Sequence, residues 1–364
     1  MTEALIIGGG PAGAAAAFHL AQAGASPVVL ERTTGPTDKV CGDFLSVEAA
    51  TELTRFGLDL DRLGAARITR LRVIHGRRIA ATDLPFTARG LSRRILDEAL
   101  LVRAIETGAR VRRGVVARAL RADGGGFVCR TQTGEEQAGT VFLATGKHDL
   151  RGMPRSFSQS LGLKTYVTLA PEQIADLHGH VELTLFRGGH LGMQPVEGGD
   201  VVLCAMVEKW RFAAAGGSWP ALLETVTDGC SHLRSRLAGS VACRERPVAV
   251  AGVPYGHVHR TSLSADPFRL GDQACVIPSL TGDGIALALH GARLATQTWL
   301  SGGRPEAHHE AFASRVAGQM RAAVALHRLL LGPGAGWATA LASVAPGLLR
   351  EAARLTRLRG SLEP

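Results

Sequence analysis

The sequence predicts an α/β fold made of a βαβ unit, an inserted mixed antiparallel β-sheet and a helical C-terminus. Three observations lead to it. Residues 2 to 8 form an apolar run that ends in glycines, an alanine-rich helix follows, and SPVVLE reads as a second buried strand. Strand-like runs separated by glycine pairs fill residues 160 to 210. The C-terminal residues from 306 onward are helical in composition.

The remaining elements follow in order. LSVEAATELTRFG predicts a helix that stops at a glycine, and RITRLRVIHGRRIAATDLP alternates like a hairpin. A long amphipathic helix comes next, with Ser92 as its cap and Gly108 at its end. Residues 110 to 133 predict strand, glycine turn and strand, and TVFLATG returns to the parallel sheet. After the inserted sheet we expect a helical segment around residues 218 to 238, and then a strand, a loop and a long helix beginning at FRLG.

Composition narrows the classes of function. A chain of 364 residues with 46% hydrophobic content has a core large enough for roughly two domains. The formal charge of +9, from 41 basic and 32 acidic residues, suits an anionic cofactor, an acidic carrier or a membrane surface. Nucleic acid is not an expected partner, because no arginine run is interleaved with aromatic residues, which make up 5% of the chain.

Membrane-spanning, secreted, disulfide-rich, metal-binding and hydrolytic proteins each have sequence patterns that this chain lacks. No run of about eighteen apolar residues predicts a membrane span, and the N-terminus lacks a basic signal-peptide region, so we expect a cytoplasmic protein. The six cysteines are scattered, which indicates reduced thiols. The paired histidines lack the companion ligands of a metal site. The sequence contains neither a Gly-x-Ser-x-Gly nor an HExxH motif, which argues against a hydrolase.

A dinucleotide fingerprint closes the first strand. Gly8, Gly10 and Gly13 form Gly-x-Gly-x-x-Gly at the start of the first helix, and Glu31 ends the second strand. Such glycines allow a tight turn, a close approach to a pyrophosphate and close helix packing, while the helix N-terminus faces the anion. Glu31 can accept hydrogen bonds from a ribose. FAD and nicotinamide nucleotides both use this fingerprint, so it leaves the cofactor open.

A second glycine–aspartate segment lies far downstream. In PSLTGDGIALALHGA, Gly282 and Gly284 precede a long helix and offer its N-terminus to an anion or to an electron-rich ring edge. Asp272 follows the strand FRLG and is placed to hold a polyol hydroxyl.

The order of these motifs resembles a family of flavoproteins. GGGPAG, Glu31, KVCGDFLS, SRRILDEAL, FLATG and RLGDQACVIPSLTGDGIALAL are similar to segments of the FAD-dependent oxidoreductases that include geranylgeranyl reductases and para-hydroxybenzoate-hydroxylase-type monooxygenases, over about residues 4 to 300. The resemblance implies FAD, with NAD(P)H or another reductant as electron donor. It also implies three parts: a discontinuous FAD domain (1–75, 90–150 and 260–305), a substrate domain (76–89 and 151–259) and a C-terminal helical segment (306–364).

The resemblance implies roles for individual residues. Arg93 would reach the ribityl or phosphate portion of the cofactor, and Asp272 would hold the ribityl chain or the pyrophosphate. Pro278 and residues 282–285 would flank the isoalloxazine. The implied cofactor-binding residues are Gly8, Gly10, Pro11, Ala12, Gly13, Glu31, Arg32, Lys39, Cys41, Arg93, Gly271, Asp272, Pro278, Gly282, Asp283, Gly284 and Ile285.

The KVCGD segment resembles the Lys-x-Cys-Gly segment of geranylgeranyl-reductase-like proteins, whose cysteine lies near flavin and substrate. By that resemblance Cys41 donates a proton, positions substrate or contacts the flavin. The alternative is a small buried side chain in a tight loop. Lys39 would balance the phosphates of the cofactor, or be only a solvated side chain.

The chain departs from the family at two places. Its reductases carry an aromatic Tyr-x-Trp-x-Phe-Pro motif that walls the isoprenoid cavity, whereas the equivalent stretch here has His190, Met193 and Gln194. Its hydroxylases carry Asp-Gly after the FLATG-like strand, where this chain has ATGKHDLRG. In addition to Cys41, His190 is a candidate for a substrate-facing acid or base, and His148 is a further candidate. Histidines at such positions are more often ordinary loop residues.

We therefore expect an FAD-dependent oxidoreductase, in the first place a monooxygenase that transfers oxygen from a flavin hydroperoxide to a hydrophobic, polyketide- or isoprenoid-like substrate. The missing aromatic wall favours this reaction. The first alternative is a flavin-dependent reductase of carbon–carbon double bonds, which KVCGD favours. The second is a non-catalytic flavin-binding scaffold of a biosynthetic complex.

The segment PGLLREAARLTRLRG puts leucines near one face and arginines largely on another. A helix of this kind makes weak contact with a membrane surface or an anionic carrier protein. More often, it packs its leucines on its own domain.

Overall fold

The computed structural model describes residues 2–155, 158–260 and 265–358, which form two β-sheets and the helices around them. The strands are β1 (Thr2–Ile7), β2 (Val28–Glu31), β3 (Phe44–Leu45), β4 (Ala66–His75), β5 (Arg78–Gly90), β6 (Arg110–Arg113), β7 (Ala117–Asp123), β8 (Gly126–Thr131), β9 (Glu135–Leu143), β10 (Ser160–Thr168), β11 (His180–Phe186), β12 (Gly189–Pro195), β13 (Val201–Glu208), β14 (Val241–Ala242), β15 (Val248–Ala251) and β16 (Phe268–Arg269). The helices are α1 (Pro11–Gln22), α2 (Val47–Arg55), α3 (Arg93–Glu106), α4 (Pro171–Leu177), α5 (Lys209–Ala214), α6 (Trp219–Asp228), α7 (Ser231–Leu237), α8 (Gly284–Leu300), α9 (Pro305–Leu331), α10 (Ala335–Val344) and α11 (Gly347–Leu355).

The first sheet has the strand order β6-β2-β1-β9-β8-β7, and β16 pairs with β9. The strands β6, β2, β1, β9 and β16 are parallel, whereas β7, β8 and β9 form an antiparallel meander. In β1, Ala4 and Ile6 face one core cluster and Leu5 and Ile7 face another, so the strand is buried on both faces. Since the carboxyl ends of parallel strands share one edge, the loops after β1, β2, β9 and β16 meet there.

The second sheet has the order β14-β10-β13-β12-β11-β4-β5-β3, with β15 paired to β10. All of its pairs are antiparallel except β4 with β11, which confirms the mixed antiparallel sheet. One of its core clusters joins β10, β12 and β13 to the leucines of α6 and α7. Those two helices divide the predicted helical segment at Gly229.

The topology departs from the predicted domain division at one place. The predicted boundary after His75 cuts the hairpin of β4 and β5, whose register pairs His75 with Arg78. Because β4 also pairs with β11, it belongs to the second sheet, as does the short strand β3. The division into domains otherwise stays a prediction.

The C-terminal helices cover the second sheet. Helices α10 and α11 pack on β5, and α8 packs on α1 of the first sheet. Within the described residues, no helix combines the length and the apolar character needed to cross a bilayer.

Candidate functional site

A cleft with a volume of about 420 Å³ is lined by residues of both sheets. At one end its walls are the loops that follow β1, β2, β9 and β16. At the other end they are apolar side chains of β13 and β15. The cleft therefore joins a polar edge, where parallel strands end, to an apolar surface of the second sheet.

The glycine fingerprint is tightly packed at the polar end. Gly8 has a φ of +107°, and a Cβ built there would lie 2.4 Å from the carbonyl oxygen of Ala144. A Cβ on Gly13 would lie 1.8 Å from the carbonyl oxygen of Gly8, so only glycine lets α1 approach β1 this closely. Gly13 packs behind the cleft, whereas Gly10, Pro11 and Ala12 line it. No side chain caps the N-terminus of α1, which leaves its positive end to an anion.

Glu31 lies beside this helix terminus. One of its oxygens accepts a hydrogen bond from the Gly9 amide at 2.7 Å, and the other accepts from the amide and hydroxyl of Thr33. Burial opposes its ionisation, but the charge of Lys39 and these hydrogen bonds outweigh burial and lower the pKa of Glu31. The carboxylate lines the cleft and is held in one orientation, as a ribose acceptor requires.

Two cations share one carboxylate at the same end. Arg93 forms a bidentate pair with Asp97 at 2.6 and 2.8 Å, and Lys39 Nζ lies 3.0 Å from Asp97. Burial lowers the pKa of Arg93, but Asp97, Cys41 and Asp43 together raise it above its ordinary value. Both cations line the cleft, as the prediction for a diphosphate site requires. Arg32 also lines it and bonds His148 at 2.9 Å.

A fourth cation, Lys147, was not predicted. Its Nζ lies 3.3 Å from Asp272, and both residues line the cleft with Gly271. The backbone carbonyl of Asp272 also accepts a hydrogen bond from Arg155 at 2.7 Å. The position of Lys147 was available from the sequence, because it follows Ala-Thr-Gly at the carboxyl end of β9.

The glycine–aspartate segment is divided between the cleft and the interior. Gly282, Gly284 and Ile285 line the cleft, whereas Asp283 and Pro278 are buried and do not. Asp283 accepts a hydrogen bond from Gln319 at 2.9 Å and lies 2.7 Å from Arg357, beyond the end of α11. Asp283 thus anchors the segment to Gln319 and Arg357 in the interior, and it does not face a ligand in the cleft.

Cys41 lines the cleft on the loop between β2 and β3, and its side chain is partly exposed. Asp43, two positions after Cys41, has a φ of +56° and is fully buried. It accepts hydrogen bonds from Lys164 and Tyr166 of β10 at 2.8 and 2.7 Å. Neither partner was predicted, although Lys164 was visible as a lone charge within a strand-like run. This buried network fixes the loop that presents Cys41.

The apolar end corrects one expectation from the sequence. Cys204 and Met206 of β13 and Val250 of β15 line the cleft, but no residue of β12 does. His190 and the other β12 positions at which aromatic residues were looked for, Met193 and Gln194, are buried elsewhere. The missing aromatic side chains therefore say nothing about this cleft.

His190 reaches the cleft only through another residue. Its Nε2 lies 3.2 Å from the hydroxyl of Ser279, which is a lining residue. Burial lowers the pKa of His190 to about 3, so the ring is neutral near pH 7. A direct role on substrate is not supported by this position.

The lining residues fit FAD. The uncapped start of α1, with Arg93 and Lys39, matches a diphosphate, Glu31 matches the adenosine ribose, and the cleft continues past Asp272 toward Gly282. Cys41 is partly exposed and lines the cleft together with Arg93 and Lys147 from the polar end and Cys204 from the apolar end.

Comparison with known proteins agrees with this fit. Residues 1–142 match the family model of the FAD binding domain. A menaquinone reductase of Mycolicibacterium smegmatis is 26% identical over 83% of this chain and 77% of its own length. Digeranylgeranylglycerophospholipid reductase 2 of Methanopyrus kandleri is 27% identical over 80% of this chain and 75% of its own length.

Solved structures share the fold. The flavin-dependent brominase Bmp2 superposes with a TM-score of 0.76 at 16% identity, over 98% of this chain and 93% of its own. The myxobacterial FAD-dependent halogenase CndH gives 0.73 at 21% identity, over 87% of this chain and 80% of its own. A PltM halogenase variant in complex with FAD gives 0.67 at 13% identity, over 90% of this chain and 75% of its own. With the fingerprint, the cleft and the matching family model, residues 1–142 belong to the FAD binding domain family, and over about four fifths of its length the chain is similar to proteins named as reductases.

Proposed function

We propose that this flavoprotein reduces carbon–carbon double bonds in the isoprenoid chain of a lipid. The observation that carries the proposal is that Cys41 lines the same cleft as the charged residues of the cofactor end and the apolar residues of β13 and β15. A proton donor at that junction is what an unactivated alkene needs in addition to a hydride. An apolar lining of Cys204, Met206 and Val250 suits a hydrocarbon chain.

Two further considerations favour reduction over oxygenation. The sequence argument for a monooxygenase was the missing aromatic wall, and the relevant positions lie outside the cleft. The curated relatives quoted above carry the names of reductases and match about four fifths of this chain. The halogenases resemble it at 21% identity or less, which speaks for a shared fold alone.

The residues of the cleft divide the work. Bound FAD would supply the hydride, after reduction by NAD(P)H or another two-electron donor. Arg93 and Lys39 bind its negative charge, and Glu31 orients the adenosine end. Cys41 gives its proton to the second alkene carbon, and the thiolate is reprotonated from water. Lys147 and Arg93 line the cleft together with Cys41 and keep this part of it positively charged.

The test is an anaerobic assay of the FAD-loaded protein with dithionite as reductant and menaquinone as substrate, read by mass spectrometry. After air has reoxidised the quinone ring, the proposal expects a product with two added hydrogens in the isoprenoid chain. Both become deuterium in heavy water, because dithionite supplies only electrons and the hydride and the proton both derive from solvent. Cys41→Ala should lower the rate by about a hundredfold or more while FAD affinity stays unchanged. The matched control is Cys243→Ala, which removes an exposed thiol outside the cleft.

Each alternative predicts a different result. Oxygen incorporation under air, with no hydrogenated product without air, would replace the proposal with a monooxygenase. A bound flavin that no donor reduces, in the presence of any isoprenoid quinone or lipid, would indicate the scaffold role. Equal rates for Cys41→Ala and Cys243→Ala would leave reduction standing and remove Cys41 as the proton donor.

A further inference from the structure

Helix α10 has its side chains arranged in the opposite way to an ordinary surface helix. It buries the small residues Ala335, Thr339 and Ala342. Its large apolar side chains point to solvent, with Trp337 83% exposed and Val344 80% exposed. Soluble helices hide such residues and expose polar ones, so this face is built to meet an apolar surface.

The exposed apolar character extends beyond the helix. Residues 329–349 contain no charged side chain, and Arg328 and Arg350 border this stretch on either side. Within it, large apolar side chains are exposed before, along and after α10. We call the following set the α10 surface: Leu329, Trp337, Leu341, Val344 and Leu348.

The charges that flank the α10 surface in sequence are mostly positive. Residues 311–358 contain six arginines and one acidic residue, Glu351. Arg328, Arg350 and Arg354 are exposed. Tryptophan is favoured where hydrocarbon meets water, and arginine pairs with lipid phosphates around it. An apolar patch with a rim of arginines therefore matches the interface of an anionic bilayer better than a second, equally basic copy of this chain.

The α10 surface is connected to the cleft. Helix α10 packs on β4 and β5, and Leu280 lies in one apolar cluster with Leu331 and Ala338. Leu280 is next in sequence to the lining residue Ser279. The ring of Tyr255, another lining residue, lies 5.6 Å from that of His327, two positions before Leu329.

We infer that the α10 surface docks on an anionic lipid bilayer, with Trp337 and Val344 inserted at the level of the headgroups and the arginines on lipid phosphates. This interaction needs no membrane-spanning helix, and its strength comes from buried apolar area together with charge. It does not depend on the reaction proposed above, because the docking residues lie outside the cleft.

The experiment measures co-sedimentation of the FAD-loaded full chain with vesicles. Vesicles that contain phosphatidylglycerol and phosphatidylcholine should bind the protein, whereas pure phosphatidylcholine should bind it less, and high salt should reduce the difference. W337S/V344S should weaken partitioning by about tenfold or more. The matched control is W210S/V241S, which removes the same two side-chain types from exposed sites on α5 and β14.

Two controls make each outcome decisive. FAD affinity and circular dichroism of both double variants should equal those of the unaltered protein, which shows that they fold. The molecular mass without lipid should not change in W337S/V344S. A dimer that this variant converts to a monomer would overturn the inference in favour of a second copy, and equal vesicle binding by both double variants would also overturn it.

Discussion

Lys164 and Asp43 form a fully buried ion pair in which Nζ lies 2.6 Å from a carboxylate oxygen. The same Nζ donates to the backbone carbonyl of Lys39 at 3.2 Å. Asp43 also accepts a hydrogen bond from the backbone amide of Arg93 at 3.3 Å. One lysine of the second sheet therefore holds the loop of Cys41 against the start of α3.

Replacing Lys164 with methionine should strongly destabilise the protein. The change leaves a buried carboxylate without its cation, which costs about 3 to 5 kcal/mol. Urea unfolding measures the loss, and K164M/D43N should recover part of it because no buried charge remains. Lys209→Met, which removes an exposed lysine, should stay within about 0.5 kcal/mol of the unaltered protein. Equal losses for the two lysine variants would contradict the role of this pair.

Gly13→Ala should reduce both stability and FAD binding. The added methyl group would meet the Gly8 carbonyl oxygen, and separating α1 from β1 costs about 1 to 3 kcal/mol. Gly318→Ala is the matched change within α9, where a Cβ has no neighbour within 4 Å. That variant should gain up to about 1 kcal/mol from helix propensity. Thermal unfolding and flavin fluorescence titration measure the two effects, and an unchanged FAD affinity in Gly13→Ala would refute the packing argument.

The free energy of unfolding should depend on pH because of Asp283. Burial raises the pKa of Asp283 to about 7, Arg357 works against the shift, and Glu48 adds to it. An aspartate in the unfolded chain titrates near 4, so the folded state holds an extra proton between about pH 4 and 7. Stability from this group is therefore present below pH 4 and falls as the pH rises through 7, by about 4 kcal/mol at most.

Asp283→Asn removes this titration. The free energy of unfolding of the unaltered protein, minus that of the variant, should fall between pH 4 and 8 in urea titrations at several pH values. The subtraction cancels groups that titrate in both proteins. A difference that rises with pH would mean that Arg357 keeps the carboxylate ionised instead.

A histidine cluster that does not line the cleft should not bind a metal. His259, Asp266 and His309 bring ligand atoms within 4.8 Å of one another. However, His309 Nε2 accepts the backbone N–H of Arg269 at 3.1 Å, so its proton lies on Nδ1, the atom that faces Asp266. Arg269 also bonds Asp266 at 3.2 Å and supplies the positive charge.

Zinc and a chelator should therefore leave the melting temperature unchanged. Differential scanning calorimetry with each additive is the measurement. A saturable stabilisation by zinc that disappears in His309→Ala, but not in His178→Ala, would contradict this reasoning.

The sequence predicted what depends on local pattern. Gly8, Glu31, Cys41 and Asp272 line one cleft because each lies at or after the carboxyl end of a strand of the parallel sheet, and these ends share an edge. The ion pair of Lys164 with Asp43 could not be predicted from the sequence, because 121 positions separate the partners and no periodicity links them.

The error at the apolar end has a physical cause. Strands β12 and β13 are both buried almost throughout, and neither alternates between buried and exposed positions. When a strand does not alternate, its pattern cannot tell which face or which neighbour borders a cavity. His190 of β12 was for that reason predicted to line the cleft. Met206 of the neighbouring strand β13 lines it instead.

The path of the chain has a consequence for how the molecule can be divided. In the described residues the strands pass from the first sheet to the second and back twice, with crossings after β2, β5, β9 and β15. No single cut separates the two sheets, because strands of the first sheet both precede and follow those of the second, so we expect that the sheets cannot be expressed as two separate fragments. The walls of the cleft must form together, and the protein should lose its flavin and its secondary structure in one cooperative transition.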